Sequence, residues 1–139
     1  MSAFDASEPS FTEDRLLGGR IRLKQPAVGY RVAIDPVFLA ASVPAEPHQL
    51  VLDVGCGSGA AMLCVAARVP HSRVVGLEMQ RDLVRLAGDN IILNGLDARA
   101  SPRNDGLLAI GIDPAPLAMA GGTHNIVYCH KRPDRETDE

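Results

Sequence analysis

The stretch from Leu50 to Gly59, read LVLDVGCGSG, constrains this chain more than any other. Leu50, Val51, Leu52 and Val54 bracket Asp53 in a short apolar run of the kind a buried parallel strand presents. Gly55, Gly57 and Gly59 follow at alternate positions and lead straight into AAMLCVAAR, a helix of small apolar residues. A glycine-rich turn that passes into a helix brings backbone N–H groups close to a bound ligand. Glycine is needed there because a Cβ would block the approach or resist a positive φ.

Spacing narrows the kind of ligand. The dinucleotide fingerprint is G-x-G-x-x-G, and a lone match to it carries little weight. This loop reads D-x-G-x-G-x-G, with the acid inside the strand's end. A second strand, Val74-Val75-Gly76-Leu77, ends in Glu78 about 20 residues after the loop. A carboxylate at that place accepts hydrogen bonds from both hydroxyls of a ribose. Together the two features resemble the class I S-adenosylmethionine-dependent methyltransferases. The resemblance implies that Asp53, Gly55, Cys56, Gly57 and Gly59 form a loop packed on the methionine part of the cofactor. It also implies that Glu78 holds the ribose, with Met79 beside it. The competing reading is an ordinary strand–turn–helix with a chance acid.

At 139 residues the chain is one domain with a moderate core. A formal net charge of −3 argues against broad electrostatic attraction to nucleic acid, although a local basic patch can still serve. No Trp and 4% aromatic residues leave few stacking platforms for bases. Cys56, Cys64 and Cys129 are odd in number and lack metal-ligand spacing, which favours a reducing compartment and no metal. The N-terminus carries four acids and no apolar core of a signal peptide, and no run reaches the length of a membrane span. The expectation is a soluble, cytoplasmic protein.

Residues 1–14 are polar and acidic and read as a flexible tail. In the next stretch, Gly18-Gly19 suits a hairpin turn, and Arg20, Arg22 and Lys24 alternate with Ile21 and Leu23 as on a half-exposed strand. The basic stripe has two readings, a solvated strand face or a surface that meets phosphates. Asp35-Pro36 marks a helix start, the acid as N-cap and proline at the first helical position. Val37, Phe38 and Ala41 then supply its apolar face.

The segment DRLLGGRIRLKQPAVGYRVAIDPVFLAASVP, followed by the two strand motifs, resembles the small-domain methyltransferases. It is most similar to the branch that methylates the exocyclic amine of an adenine in valine tRNA. The likeness runs from about Asp14 to Leu96. It implies that Tyr30, Arg31 and Asp35 line the rim of the cofactor pocket and that tRNA is the partner. Read without it, these residues are a turn, a surface charge and a helix cap.

After the glycine loop, Ala60 to Arg68 suits close packing on a sheet, and Cys56 and Cys64 read as small buried residues rather than nucleophiles. His71 falls in a polar loop and reads as solvated. A second helix runs from about Gln80 to Asn94, with Leu83, Val84, Ala87 and Ile91 on one face and Gly95 closing it. Two strand–helix units imply a parallel sheet with right-handed crossovers. The expected fold is α/β, the Rossmann-like three-layer αβα sandwich of class I methyltransferases, incomplete on its C-terminal side.

Beyond Leu96 the likeness stops. Asp105 falls near the acid that the family sets against the adenine ring, but the preceding ARASPRN holds a proline and makes a poor central strand. Asn125 to Tyr128 reads as a short strand in fourth position, and residues 129–139 as a charged, disordered tail after a 15–128 domain. The family's Asn-Pro-Pro-aromatic tetrapeptide, which orients the target amine, occurs nowhere in the sequence. Such a chain reads as a truncated or frame-altered copy, or a fragment, whose open sheet edge invites self-association.

Three functions follow. The first is a methyltransferase using S-adenosylmethionine on an RNA adenine by direct displacement, with no metal. The second is a cofactor-binding domain that has lost its chemistry with the tetrapeptide. The third, a nicotinamide-dependent oxidoreductase, is disfavoured by the loop spacing and by Asp53. No catalytic residue is assigned.

Overall fold

A computed structural model of the chain describes residues 10–28, 34–105 and 126–130. Strand β1 (Phe11–Leu16) and strand β2 (Ile21–Pro26) form an antiparallel hairpin around a 3-10 turn at Leu17–Gly19, where Gly18 has φ +63°. The basic stripe lies as expected. Ile21, Leu23 and Gln25 are buried, Arg22 is exposed and Lys24 is half-buried. The acidic tail is shorter than expected, because Phe11 to Asp14 pair with Leu23 to Pro26. Thr12 and Asp14 alternate with exposed Phe11 and Glu13, so this is a strand with mostly polar side chains on both faces.

Helix α1 spans Asp35–Ser42. Asp35 and Pro36 sit in its first turn and Ile34 takes the cap position, so Asp35 is not the capping side chain that the dipeptide suggests. The buried face is Pro36 and Ala40, four residues apart, with Val37 half-buried. Phe38 is 63% exposed and Ala41 is also exposed, contrary to expectation.

Strand β3 (Leu50–Val54), helix α2 (Ala60–Arg68), strand β4 (Arg73–Leu77), helix α3 (Arg81–Leu93) and strand β5 (Ala100–Arg103) follow in alternation. β3, β4 and β5 are parallel neighbours, and strand β6 (Ile126–His130) pairs antiparallel with β3, giving the order β5-β4-β3-β6. Two successive right-handed crossovers in one direction place α2 and α3 on the same face of the sheet. The strand expected in fourth position thus exists, starting one residue and ending two residues later than predicted, and it is antiparallel. Pro102 is accommodated because its strand has a partner, β4, on one side only among the described residues.

Helix α2 is buried along Ala60 to Ala66 because it is covered on every side. It packs on β4 and β5, on α1 and on β2 of the hairpin. Arg99 closes its C-terminus: one guanidinium nitrogen donates to the Ala66 carbonyl at 2.9 Å and the other to those of Ser72 at 3.0 Å and Val69 at 3.3 Å. Helix α3 ends at Gly95 (φ +65°), whose amide donates to Ile92 while that of Leu96 donates back to Ile91.

The hairpin is docked by two asparagines of α3. The Arg22 amide donates to Asn94 Oδ1 at 2.9 Å and the Arg22 carbonyl accepts from Asn94 Nδ2 at 2.7 Å. The Lys24 amide donates to Asn90 Oδ1 at 2.8 Å and its carbonyl accepts from Asn90 Nδ2 at 2.9 Å. Four residues of helix rise about 6 Å and two residues of strand about 6.6 Å, so the two side chains meet alternate residues of β2 in register.

Candidate functional site

The carboxyl ends of parallel strands are where open α/β sheets bind ligands. Here the chain leaves β3 through Gly55 (φ +77°), Gly57 (φ +55°) and Gly59 (φ +96°), three left-handed conformations that explain the alternating glycines. The Gly55 and Cys56 amides both donate to the Leu77 carbonyl, at 2.8 and 2.9 Å, which ties the loop to the end of β4. The Gly59 amide donates to the Cys56 carbonyl at 2.9 Å and closes the turn into α2. A Cβ placed on Gly57 would meet no atom within 4 Å, so the loop is open on that side.

Glu78 follows β4 directly and is half-buried. Its Oε2 accepts the Gly57 amide at 2.9 Å and its Oε1 the Gln80 amide at 2.9 Å. Each carboxylate oxygen keeps a further acceptor direction. Met79 beside it is 78% exposed, an apolar side chain at the same end of the sheet. Asn104, just past β5, donates from Nδ2 to the carbonyls of both Glu78 and Met79 at 2.9 Å.

Asp53 lies under the loop, wholly buried, and neither carboxylate oxygen has a hydrogen-bond partner among the described residues. Burial pushes its carboxyl up to about 7, and the Glu78 charge adds to the rise. The Met62 amide in the first turn of α2 pulls the other way without closing a hydrogen bond. Cys56 turns its side chain into the core. Its thiol is raised far above the usual range by burial first and by the charges of Asp53 and Glu78 second. Burial raises the Cys64 thiol to about 11. Neither sulfur is an available nucleophile at neutral pH, in agreement with the sequence reading.

The structure therefore gathers Asp53, Gly55, Cys56, Gly57, Gly59, Glu78 and Met79 at one end of β3 and β4. Asp105 reaches the same end of the sheet, half-buried, but its carboxylate pairs with Arg103, whose Nε is 2.7 Å away. Tyr30 and Arg31 lie outside the described residues. Three residues of the site escaped the sequence reading. Asn104 clamps the Glu78 segment. Asn90, buried in α3, donates to the Ser58 carbonyl of the loop at 2.9 Å. Gly76 of β4 has no room for a side chain, since a Cβ there would stand 2.7 Å from Cys56 Sγ and from Met62 Sδ. A glycine inside a strand is a recognised signal of such close approach.

No three His, Cys, Asp or Glu side chains gather as metal ligands among the described residues. Nor is any helix among them long and apolar enough to cross a membrane.

The chain is similar to known proteins in sequence and in fold. The tRNA1(Val) (adenine(37)-N6)-methyltransferase of Yersinia enterocolitica is 37% identical over 81 residues, covering 54% of this chain and 32% of that protein. The chain thus spans about a third of the length of the curated relatives it matches. Among solved structures, a transferase of Pyrococcus horikoshii superposes with a TM-score of 0.62 at 22% identity, over 75% of this chain and 39% of that one. TYW2 of P. horikoshii, solved in complex with MeSAdo, superposes with a TM-score of 0.59 at 24% identity, over 70% of this chain and 36% of that one. These superpositions establish an α/β, Rossmann-like fold. Residues 30–109 match the family described as the methyltransferase small domain, and with that match covering more than half its length, the chain belongs to this family.

Proposed function

We propose that this chain binds S-adenosylmethionine at the carboxyl ends of β3 and β4 and methylates an adenine amine in tRNA. The observation that carries the reading is the hydrogen bond from the Gly57 amide to Glu78 Oε2, 2.9 Å. It sets an open glycine loop and a ribose-competent carboxylate side by side.

The residues fit the cofactor. Gly57 leaves open space where any other residue would project a Cβ. Glu78 has acceptor directions left for a pair of hydroxyls. Exposed Met79 offers an apolar surface to a purine ring. The half-buried Glu78 carboxylate places a negative charge beside the loop, which suits a cationic ligand. S-adenosylmethionine supplies a methyl group on a sulfonium, which an amine nitrogen displaces directly. The protein's part is to fix the approach, because in-line attack rewards orientation strongly. The substrate reading rests on the tRNA1(Val) relatives. On that reading the protein works with tRNA in the cytoplasm, and exposed Arg20 with half-buried Lys24, beside the Arg22 that Glu13 holds, offers a surface to RNA phosphates.

The test is transfer of labelled methyl groups to an unmodified valine tRNA transcript. Label in adenine, lost with Glu78→Ala, is the expected result. Cofactor binding without any transfer to tRNA would overturn the substrate assignment.

A further inference from the structure

The side chain of Asn90 is wholly buried, with its oxygen and both of its N–H groups engaged. Its oxygen accepts the Lys24 amide at 2.8 Å. Its two N–H groups are spent on two carbonyls, Lys24 at 2.9 Å and Ser58 at 2.9 Å. Ser58 lies between Gly57 and Gly59, whose left-handed conformations shape the loop. One amide group thus joins three segments: the hairpin, the glycine loop and α3.

Asn94, one turn later, provides an internal comparison. It makes the same pair of bonds to Arg22 of the hairpin. Its remaining N–H turns back to the Asn90 carbonyl at 2.7 Å and does not touch the loop. The two asparagines dock the hairpin alike, and only Asn90 reaches the loop. A peptide between two glycines has little intrinsic preference for one conformation, so a buried bond to its carbonyl restricts it.

We propose that Asn90 is a positioning residue of the cofactor loop. By holding the Ser58 carbonyl it presets the Gly57 conformation that faces the ligand, and it ties that conformation to the basic strand β2. This rests on the reading of the loop as an S-adenosylmethionine site. The hairpin is then part of the cofactor-binding unit and not an appendage.

Two measurements on the full chain test it. In the first, S-adenosylmethionine affinity is titrated for wild type, Asn90→Ala and Asn94→Ala, with folding followed by circular dichroism and urea unfolding. Asn90→Ala is expected to lose at least tenfold in affinity, and Asn94→Ala less than threefold, with comparable losses of stability. In the second, amide hydrogen exchange of wild type is measured with and without saturating cofactor. The Lys24 amide, bonded to Asn90 Oδ1, is expected to slow several-fold, which decides the matter even where Asn90→Ala does not fold. Equal losses in the two variants, wild-type affinity in Asn90→Ala, or unchanged exchange at Lys24 would each overturn the proposal. A wild-type chain that binds no S-adenosylmethionine overturns the underlying reading, and this proposal with it.

Discussion

Glu78 accepts the backbone amide of Gly57 at 2.9 Å, across 21 residues of sequence and the whole of helix α2. The bond exists because β3 and β4 are parallel neighbours in register, Val54 opposite Leu77, so that the chain leaves both strands at the same level. The glycine loop and the acid form one structural unit.

Removing the carboxylate tests that unit. Glu78→Ala strips the Gly57 and Gln80 amides of their acceptor and any ligand hydroxyls of theirs. A charged hydrogen bond is worth roughly 1–3 kcal/mol, so S-adenosylmethionine affinity should fall about tenfold or more, while secondary structure is kept. Titration calorimetry reads the loss, and an unchanged affinity contradicts the assignment of Glu78.

Gly76→Ala places a methyl group 2.7 Å from two sulfur atoms, those of Cys56 and Met62. Overpacking of this kind costs about 1–3 kcal/mol. Urea unfolding should show that loss, and Cys56→Ala in the same chain should restore only part of it, because the sulfur goes while the Cys56 Cβ, 2.9 Å away, stays. A Gly76→Ala protein as stable as wild type contradicts the packing described.

The buried Asp53 makes stability depend on pH. Its folded value is raised from 3.8 to about 7, so between those limits the folded state binds the proton that the unfolded state releases. The contribution is complete below about pH 4, is lost as pH rises, and is gone above about 7. The loss is on the order of 4 kcal/mol for that displacement. Asp53→Asn should flatten the stability profile across this window. A profile for wild type that rises from pH 4 to 7 contradicts the burial of an unpaired carboxyl.

Arg99 bonds three backbone carbonyls at the end of α2 and the turn behind it. Arg99→Ala leaves partly buried acceptors without donors and should cost about 1–3 kcal/mol in urea unfolding. Arg99→Lys should recover only part of this, because an ammonium cannot span the same fork of acceptors.

The half of the fold that carries the glycine loop was legible because its signals are local. An apolar run, alternating glycines and a second strand ending in an acid lie within 30 residues, and α2 runs over the expected Ala60 to Arg68. Asn90 and Asn94 were not legible. Their partners are backbone groups of β2, 66 and 72 residues away, and a side chain bonded to a distant backbone leaves no pattern in the sequence. Strand β1 was masked by its charges, since Glu13 is bonded to Arg22 across the hairpin rather than free in a tail. Phe38 shows the limit of reading a short helix, because within one turn of α1 the buried face is set by what packs on it, here α2. Asp105 was expected near an adenine-side acid, yet its neighbour Arg103 claims the carboxylate, which residue type and position do not reveal.

The most direct test of the cofactor site is calorimetric titration of the purified chain with S-adenosylmethionine, with NAD as control. Saturable binding of S-adenosylmethionine and none of NAD is the predicted result. Binding of NAD in preference, or of neither, would contradict the assignment of the Gly57–Glu78 pair as a methyl-donor site.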